Sequence, residues 1–214
     1  MFQDESLVGI LKPEGLLSVG TQDVKLKHAL AMVRESLGPN QKLWPVHRLD
    51  RETSGVLLFA RSREVCDAVK KSWQEVTKTY SVVVEGHPAP PEGVINQPLY
   101  DGKNLMVKVG SHSEAKEAIT RYKTLETGPR RTLLEVHLDT GRRHQIRAHM
   151  SWLGHTVVGD TRYGKKDSRM ALHARRLCFQ HPITGKEIVL EAKTPAVFMK
   201  QLASVQSSRT RSPK

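Results

Sequence analysis

The sequence predicts an α+β fold with a mixed, largely antiparallel sheet flanked by helices. Three observations carry this: strand-like stretches joined as hairpins, amphipathic helices standing separately between them, and no internal repeat or long low-complexity segment in the 214 residues. A chain of this length buries a substantial core and fits one catalytic unit, taken here as residues 1–204, followed by a basic tail at 205–214.

Taken in order, Leu7 to Leu11 is a short apolar run closed by Lys12-Pro13-Glu14-Gly15, a strand leading into a turn with a basic residue at its mouth. From Asp23 to Leu37 the apolar positions Val24, Ala29, Leu30, Val33 and Leu37 recur at helical spacing, with Gly38-Pro39 as the stop. Gly55 to Ala60 reads as a fully apolar strand. Ser62 then caps a helix whose Val65, Cys66, Val69, Trp73 and Val76 share one face, which makes Trp73 a core residue rather than a nucleobase platform. Thr79 to Glu85 is rich in β-branched residues and is ended by Gly86 and Pro88, so Tyr80 lies near the start of a strand. Ala118 to Glu126 and Thr132 to Asp139 form a hairpin about Thr127-Gly128-Pro129-Arg130. His144 to Leu153 is helical and is stopped by Gly154. Ala171 to Gln180 and Glu187 to Ala192 are late strands, and Pro195 to Ala203 is a closing helix. Ser207 to Lys214 is polar and basic, the composition of a disordered tail.

Charge narrows the class of partner. Lys and Arg number 34 against 22 Asp and Glu, a formal charge of +12, which points to a polyanion such as nucleic acid. Residues 140–180 concentrate it, with nine Lys or Arg against Asp160 and Asp167; this reads as a phosphate-tracking groove, or alternatively as a solvated charged face. Cys66 and Cys178 are far apart and outside any Cys-x-x-Cys pair, so reduced thiols are expected in place of a disulfide framework or zinc ribbon. The N-terminus shows no basic and apolar leader and no run of some 18 apolar residues occurs, which predicts a soluble protein, cytoplasmic or else organellar after processing, with no membrane partner. Ten histidines invite a metal reading, but their spacing forms no His-Glu-x-x-His or Cys/His pattern, so no metal site is assigned. Gly-x-x-x-x-Gly-Lys is absent, which sets nucleotide hydrolysis aside.

Two segments carry the chemistry. Residues 46–60 present Asp50 between the basic His47-Arg48 and the Thr53-Ser54-Gly55 loop that enters an apolar strand; backbone and hydroxyl donors there can hold a carboxylate rigidly at a cleft floor. Alone, Asp50 could equally be a cap, a turn former or an ion-pair partner. About a hundred residues on, Thr140-Gly141-Arg142-Arg143-His144-Gln145-Ile146-Arg147 leads into a helix that can return an arginine to the same cleft.

His47-Arg48-Leu49-Asp50 followed by Thr53-Ser54-Gly55 resembles the signature of the RluA family of RNA pseudouridine synthases. The likeness continues at Lys12-Pro13 with Gly15 to Ser18, at Lys78-Thr79-Tyr80, at Thr140 through Arg147 and His149, at Gly159-Asp160 with Tyr163-Gly164, and at Leu172-His173-Ala174 with His181-Pro182. It spans roughly residues 6–195 in the family's order. Leu11 stands where the family often has Asn, and Arg143 where Thr, Ser or Lys is commoner; neither falls on a catalytic position.

The resemblance implies a pseudouridine synthase fold with a central catalytic cleft and a reaction without redox change or cofactor. In that reaction the uracil of a chosen uridine leaves its ribose at N1, turns, and rejoins through C5. It further implies Asp50 as the essential carboxylate, Arg147 as its partner, and Tyr80 as the residue that stacks on the base and helps remove the C5 proton. Arg48 then displaces the target base from its stack, and Arg142 with Arg143 holds the RNA backbone. The basic stretch adds Lys165, Lys166 and Arg169 as an RNA track. Ile146 and Leu172 are placed in the uracil pocket, with core packing as an equal reading. The expected partner is structured RNA, tRNA or large-subunit rRNA, read by a monomer without a separate N-terminal RNA-binding domain of the S4 type. Two rivals remain open: a catalytically silent RNA-binding or chaperone protein, and an aspartate-dependent N-glycosidase that releases the base.

Overall fold

The computed structural model describes residues 2–21, 26–38, 40–102, 104 and 106–205. The expected basic tail beyond 205 and the first part of the Asp23–Leu37 helix fall outside them.

Strand β4 (Ser54–Ala60) explains the architecture best, because all seven of its residues are buried. A strand covered on both faces reads as a continuous apolar run, and its alternation then sorts residues between two cores. Leu57 and Phe59 point to one side, where helix α1 (Ala29–Leu37) packs through Ala29, Leu30 and Val33. Val56, Leu58 and Ala60 point to the other, against Cys66 and Val69 of helix α2 (Arg63–Lys71).

Around β4 a ten-stranded sheet is assembled from β1 (Phe2–Gln3), β2 (Leu7–Lys12), β3 (Trp44–Pro45), β5 (Thr77–Glu85), β6 (Glu92–Asn96), β9 (Ile119–Thr127), β10 (Arg131–Leu138), β11 (Leu172–Gln180) and β12 (Glu187–Glu191). Its order is β1-β2-β4-β11-β5-β10-β9-β6, with β12 on β11 and β3 on β4. Every pairing is antiparallel except β4 with β11, so the expected mixed, largely antiparallel sheet is what forms. At that parallel join Gly55 has φ +121°, and a Cβ there would sit 2.2 Å from the Ala174 carbonyl oxygen, so only glycine lets the two strands approach. Strands β7 (Leu99–Asp101) and β8 (Val107–Val109) form a separate two-stranded ribbon.

Helix α3 (Gln145–Trp152) follows β10 and is buried from Gln145 to Met150, with Ile146 and Met150 against Val82, Leu134 and Val136. Helix α4 (Ala196–Ala203) packs Phe198 and Leu202 onto Val83 and Leu133, across the sheet.

Several expectations need correction. α1 begins at Ala29, six residues later than the apolar spacing predicts: His28 is extended and its Nδ1 accepts from the Ala31 N–H at 3.2 Å, so the chain turns helical only there. α2 stops at Lys71; Trp73 and Val76 still join the same core, but from turns, and helical spacing alone does not separate those cases. Lys12 is not at a mouth. It is fully buried, and its ammonium donates to the carbonyls of Pro13, Leu16 and Arg51 at 2.9, 2.7 and 3.2 Å. β6, β7 and β8 come from a polar stretch with no alternation long enough to predict them.

Candidate active site

The loop that carries Asp50 is held by hydrogen bonds to backbone amides and carbonyls. Ser18 Oγ accepts from the Leu49 N–H at 2.9 Å and donates to the Leu49 carbonyl at 2.8 Å. Gly15 N–H donates to the Arg51 carbonyl at 2.8 Å, the Arg51 side chain returns a bond to the Gly15 carbonyl at 3.0 Å, and Thr53 N–H closes the turn onto the Asp50 carbonyl at 3.1 Å. The loop at residues 12–18 thus braces the loop at 49–53. The Lys12 ammonium and the Arg51 guanidinium are charges in the brace, both donating to carbonyls; burial brings the Lys12 ammonium down to about 8 although Glu52, Asp50 and Glu14 oppose this.

Across the cleft, α3 is fixed by a closed hydrogen-bond chain. Gln145 Nε2 donates to Thr120 Oγ1 at 3.0 Å, and His149 Nε2 lies 2.9 Å from the Gln97 carbonyl, which can only accept. His149 Nδ1 must then accept from the Thr120 hydroxyl, 2.8 Å away, and burial lowers its pKa in keeping with that neutral form. With Gln145 and His149 pinned to β9, Arg147 between them projects the other way. Its Nη1 donates to Asp50 Oδ2 at 2.9 Å, while Nε and Nη2 take both oxygens of Asp160 at 2.7 and 2.8 Å.

Asp160 is 1 % exposed and also accepts from the backbone N–H of Arg162 and Tyr163. The Arg147 guanidinium lies 5.3 Å from the centre of the Tyr163 ring. His144, in the left-handed region at φ +51°, sets its Nδ1 3.2 Å from the Tyr163 hydroxyl and its Nε2 3.7 Å from Asp50 Oδ2. Burial lowers the His144 pKa against the opposing pull of Asp50.

An open cleft of about 660 Å³ runs past Asp50, Arg48, Tyr80, Trp73, Arg142 and Arg143. A recess of about 70 Å³ leads from it, lined by Asp50, Tyr80, Arg147, Ile146 and Leu172 among others. The structure therefore brings Asp50, Tyr80 and Arg147 together, and Arg48, exposed, borders both spaces. Ile146 and Leu172 line the recess and belong to the adjoining core. Trp73 also does both, packing on the core and lying 5.0 Å from the His47 ring on the cleft wall. Burial, reinforced by the Asp50 charge, pushes the Tyr80 phenol well above its ordinary range.

The basic stretch divides. Lys165 and Lys166 are exposed, but Arg169 turns inward: its Nε pairs with Glu14 at 2.9 Å, its Nη2 donates to Ser54 Oγ at 2.7 Å, and its guanidinium stacks over Phe198. Of the three cations expected on the surface, Arg169 is therefore turned inward by its bonds to Glu14 and Ser54. Arg142 donates to the Glu117 carbonyl at 3.0 Å and Arg143 to Asp101 at 2.7 Å, holding both at the rim. Asp160 and Tyr163 stand in the motifs with no role evident from sequence; an acid within a basic stretch is the available signal. Among the described residues, no group of three or more His, Cys, Asp or Glu is arranged to hold a metal, and no helix is long and apolar enough to cross a membrane.

Comparison with known proteins agrees with this geometry. Residues 6–152 match the family model described as RNA pseudouridylate synthase. The chain is 38 % identical to tRNA pseudouridine synthase C of Vibrio parahaemolyticus, over 90 % of this chain and 88 % of that protein. It is 35 % identical to the dual-specificity RNA pseudouridine synthase RluA of Vibrio cholerae, over 85 % and 77 %. The chain belongs to the RluA family of RNA pseudouridine synthases. Among solved structures, human RNA pseudouridylate synthase domain containing 4 superposes with a TM-score of 0.77 at 26 % identity, covering 94 % of this chain and 90 % of that one. The pseudouridine synthase fold and an isomerase activity follow from that membership.

Proposed function

We propose that this synthase converts uridine in a stem-loop of tRNA or large-subunit rRNA to pseudouridine, with Asp50 as the catalytic carboxylate. The observation that carries the reading is the 2.9 Å Arg147–Asp50 contact at the mouth of a recess bordered by Tyr80, Ile146 and Leu172. Breaking the N1–C1′ bond builds positive charge on the ribose, and a carboxylate at that carbon stabilises the charge or captures it covalently. An adjacent guanidinium favours the ionised carboxylate and orients it. The uracil then turns, C5 bonds to C1′, the C5 proton leaves and N1 gains one, so atoms and electrons balance with no cofactor.

Tyr80 supplies a stacking face. With its phenol held protonated at neutral pH, it enters the reaction as a hydroxyl, and it can help remove the C5 proton only by passing its own proton on to a base such as the nearby Asp50 carboxylate. Arg48 at the cleft entrance offsets the cost of extruding the base, and Arg142, Arg143, Lys165 and Lys166 hold phosphates. The similar proteins named for tRNA and dual-specificity RNA substrates support a structured RNA target. A cytoplasmic monomer fits this reading.

Tritium release from RNA labelled at uridine C5 tests it. Wild type releases tritium while the uracil stays in the chain, and Asp50→Ala releases none. Free uracil would instead mean an N-glycosidase, and RNA binding without release a silent binder.

A further inference from the structure

We infer that Asp160 is a positioning residue that shares the Arg147 cation with Asp50, so that the carboxylate at the recess keeps an uncompensated negative charge. This rests on the reading of Asp50 given above. The guanidinium offers Asp160 two donors, at 2.7 and 2.8 Å, and Asp50 one, at 2.9 Å. A planar fork presents that division of donors where an ammonium would not. Asp160 is itself fixed, since its Oδ1 also receives the Arg162 and Tyr163 N–H at 2.9 and 3.2 Å and its side chain has no measurable exposure. The Tyr163 ring lies against the guanidinium, leaving Arg147 little freedom to follow Asp50.

The charges sum to one cation between two carboxylates. Paired one to one, Arg147 would neutralise Asp50 and compete with the cation that forms at C1′. Shared, it orients Asp50 and leaves most of the negative charge to the ribose. The other titratable groups facing Asp50 do not replace Asp160: His144 is held toward its neutral form by burial, Tyr80 is a protonated phenol, and Lys12 is committed to three backbone carbonyls.

The test is the pH dependence of kcat and KM for Asp160→Asn and Asp160→Glu, with thermal melts and circular dichroism as fold controls. Asparagine removes a negative charge near Asp50, so Asp50 ionises more easily and the acid limb of kcat/KM moves to lower pH. Outer-shell groups that orient a working residue are worth about 10–100-fold where measured at metal sites, and a loss of that order in kcat with KM for RNA unchanged is expected. Glutamate, which keeps the charge, restores the position of the acid limb.

A wild-type kcat, or a loss with the acid limb unmoved, overturns the inference. Should Asp160→Asn fail to fold, 13C-carboxyl titration of the wild type decides instead: Asp160 must stay ionised through the range where Asp50 protonates, and the reverse order overturns it. Asp50→Asn separates the two claims. Turnover in Asp50→Asn defeats the proposed function itself, whereas an inactive Asp50→Asn beside a wild-type Asp160→Asn defeats only the shared cation.

Discussion

The two walls of the cleft are built from different physics. On the Asp50 wall, the Ser18 hydroxyl and backbone groups of residues 15, 49, 51 and 53 fix the loop, with the Lys12 ammonium and Arg51 guanidinium contributing as donors to carbonyls. On the Arg147 wall, a guanidinium carried by a helix that hydrogen bonds pin to β9 lies against the Asp160 carboxylate and the Tyr163 ring. Hydrogen bonds to backbone groups are short-ranged and geometric, and they set where the carboxylate sits. Charges act over longer distances in a poorly solvated site, and they set how anionic it is. Position and charge are thus governed by separate parts of the chain, some hundred residues apart.

That contrast predicts unequal responses. The largest is expected on the Arg147 wall: Arg147→Lys loses the fork and leaves Asp160 with an incomplete partner, and breaking such a buried pair costs about 3 kcal/mol, roughly a hundredfold in turnover if expressed in the transition state. Steady-state kinetics on folded protein check this, and a lysine variant at wild-type turnover would erase the distinction between the walls. A smaller effect belongs to the Asp50 wall. Ser18→Ala removes one donor and one acceptor from Leu49 and should cost about 1–2 kcal/mol of stability by thermal melt, with an activity loss that is independent of pH. A shift in the acid limb in Ser18→Ala would show that this wall sets charge as well.

The smallest effect is on stability against pH. Burial holds His47 and His173 down to about 4 from an ordinary 6.5, with the Lys78 and Arg169 charges assisting. Unfolded imidazoles take protons below about 6.5 while the folded ones resist until about 4, so the unfolded state binds more protons in that window. Their stabilising contribution is complete above 6.5 and is lost as pH falls toward 4. Melts across that range should show it, and His173→Gln should flatten the slope; an unchanged slope would remove His173 from the account.

Legibility differed by the range of the interaction. β4, α2 with its Ser62 cap, the β9–β10 hairpin and α4 follow from neighbours a few residues apart, and each formed close to where its pattern places it. Asp50, Tyr80 and Arg147 stand in motifs legible in one dimension, and the cleft unites them. By contrast, Lys12 and Arg169 look like surface cations in the sequence, and their burial depends on carbonyls and an acid supplied by other segments. Asp160, His144 and Tyr163 likewise acquire roles only from what faces them.

The sequence by itself determined the family and the class of reaction, through motifs that resemble those of known synthases, because residue order within a motif is a property of contiguous chain. Only the tertiary structure decided which charges are shared, which are buried and which remain on the rim. Those outcomes depend on distances between groups that the chain keeps far apart and on the water excluded between them, and neither is written in local order.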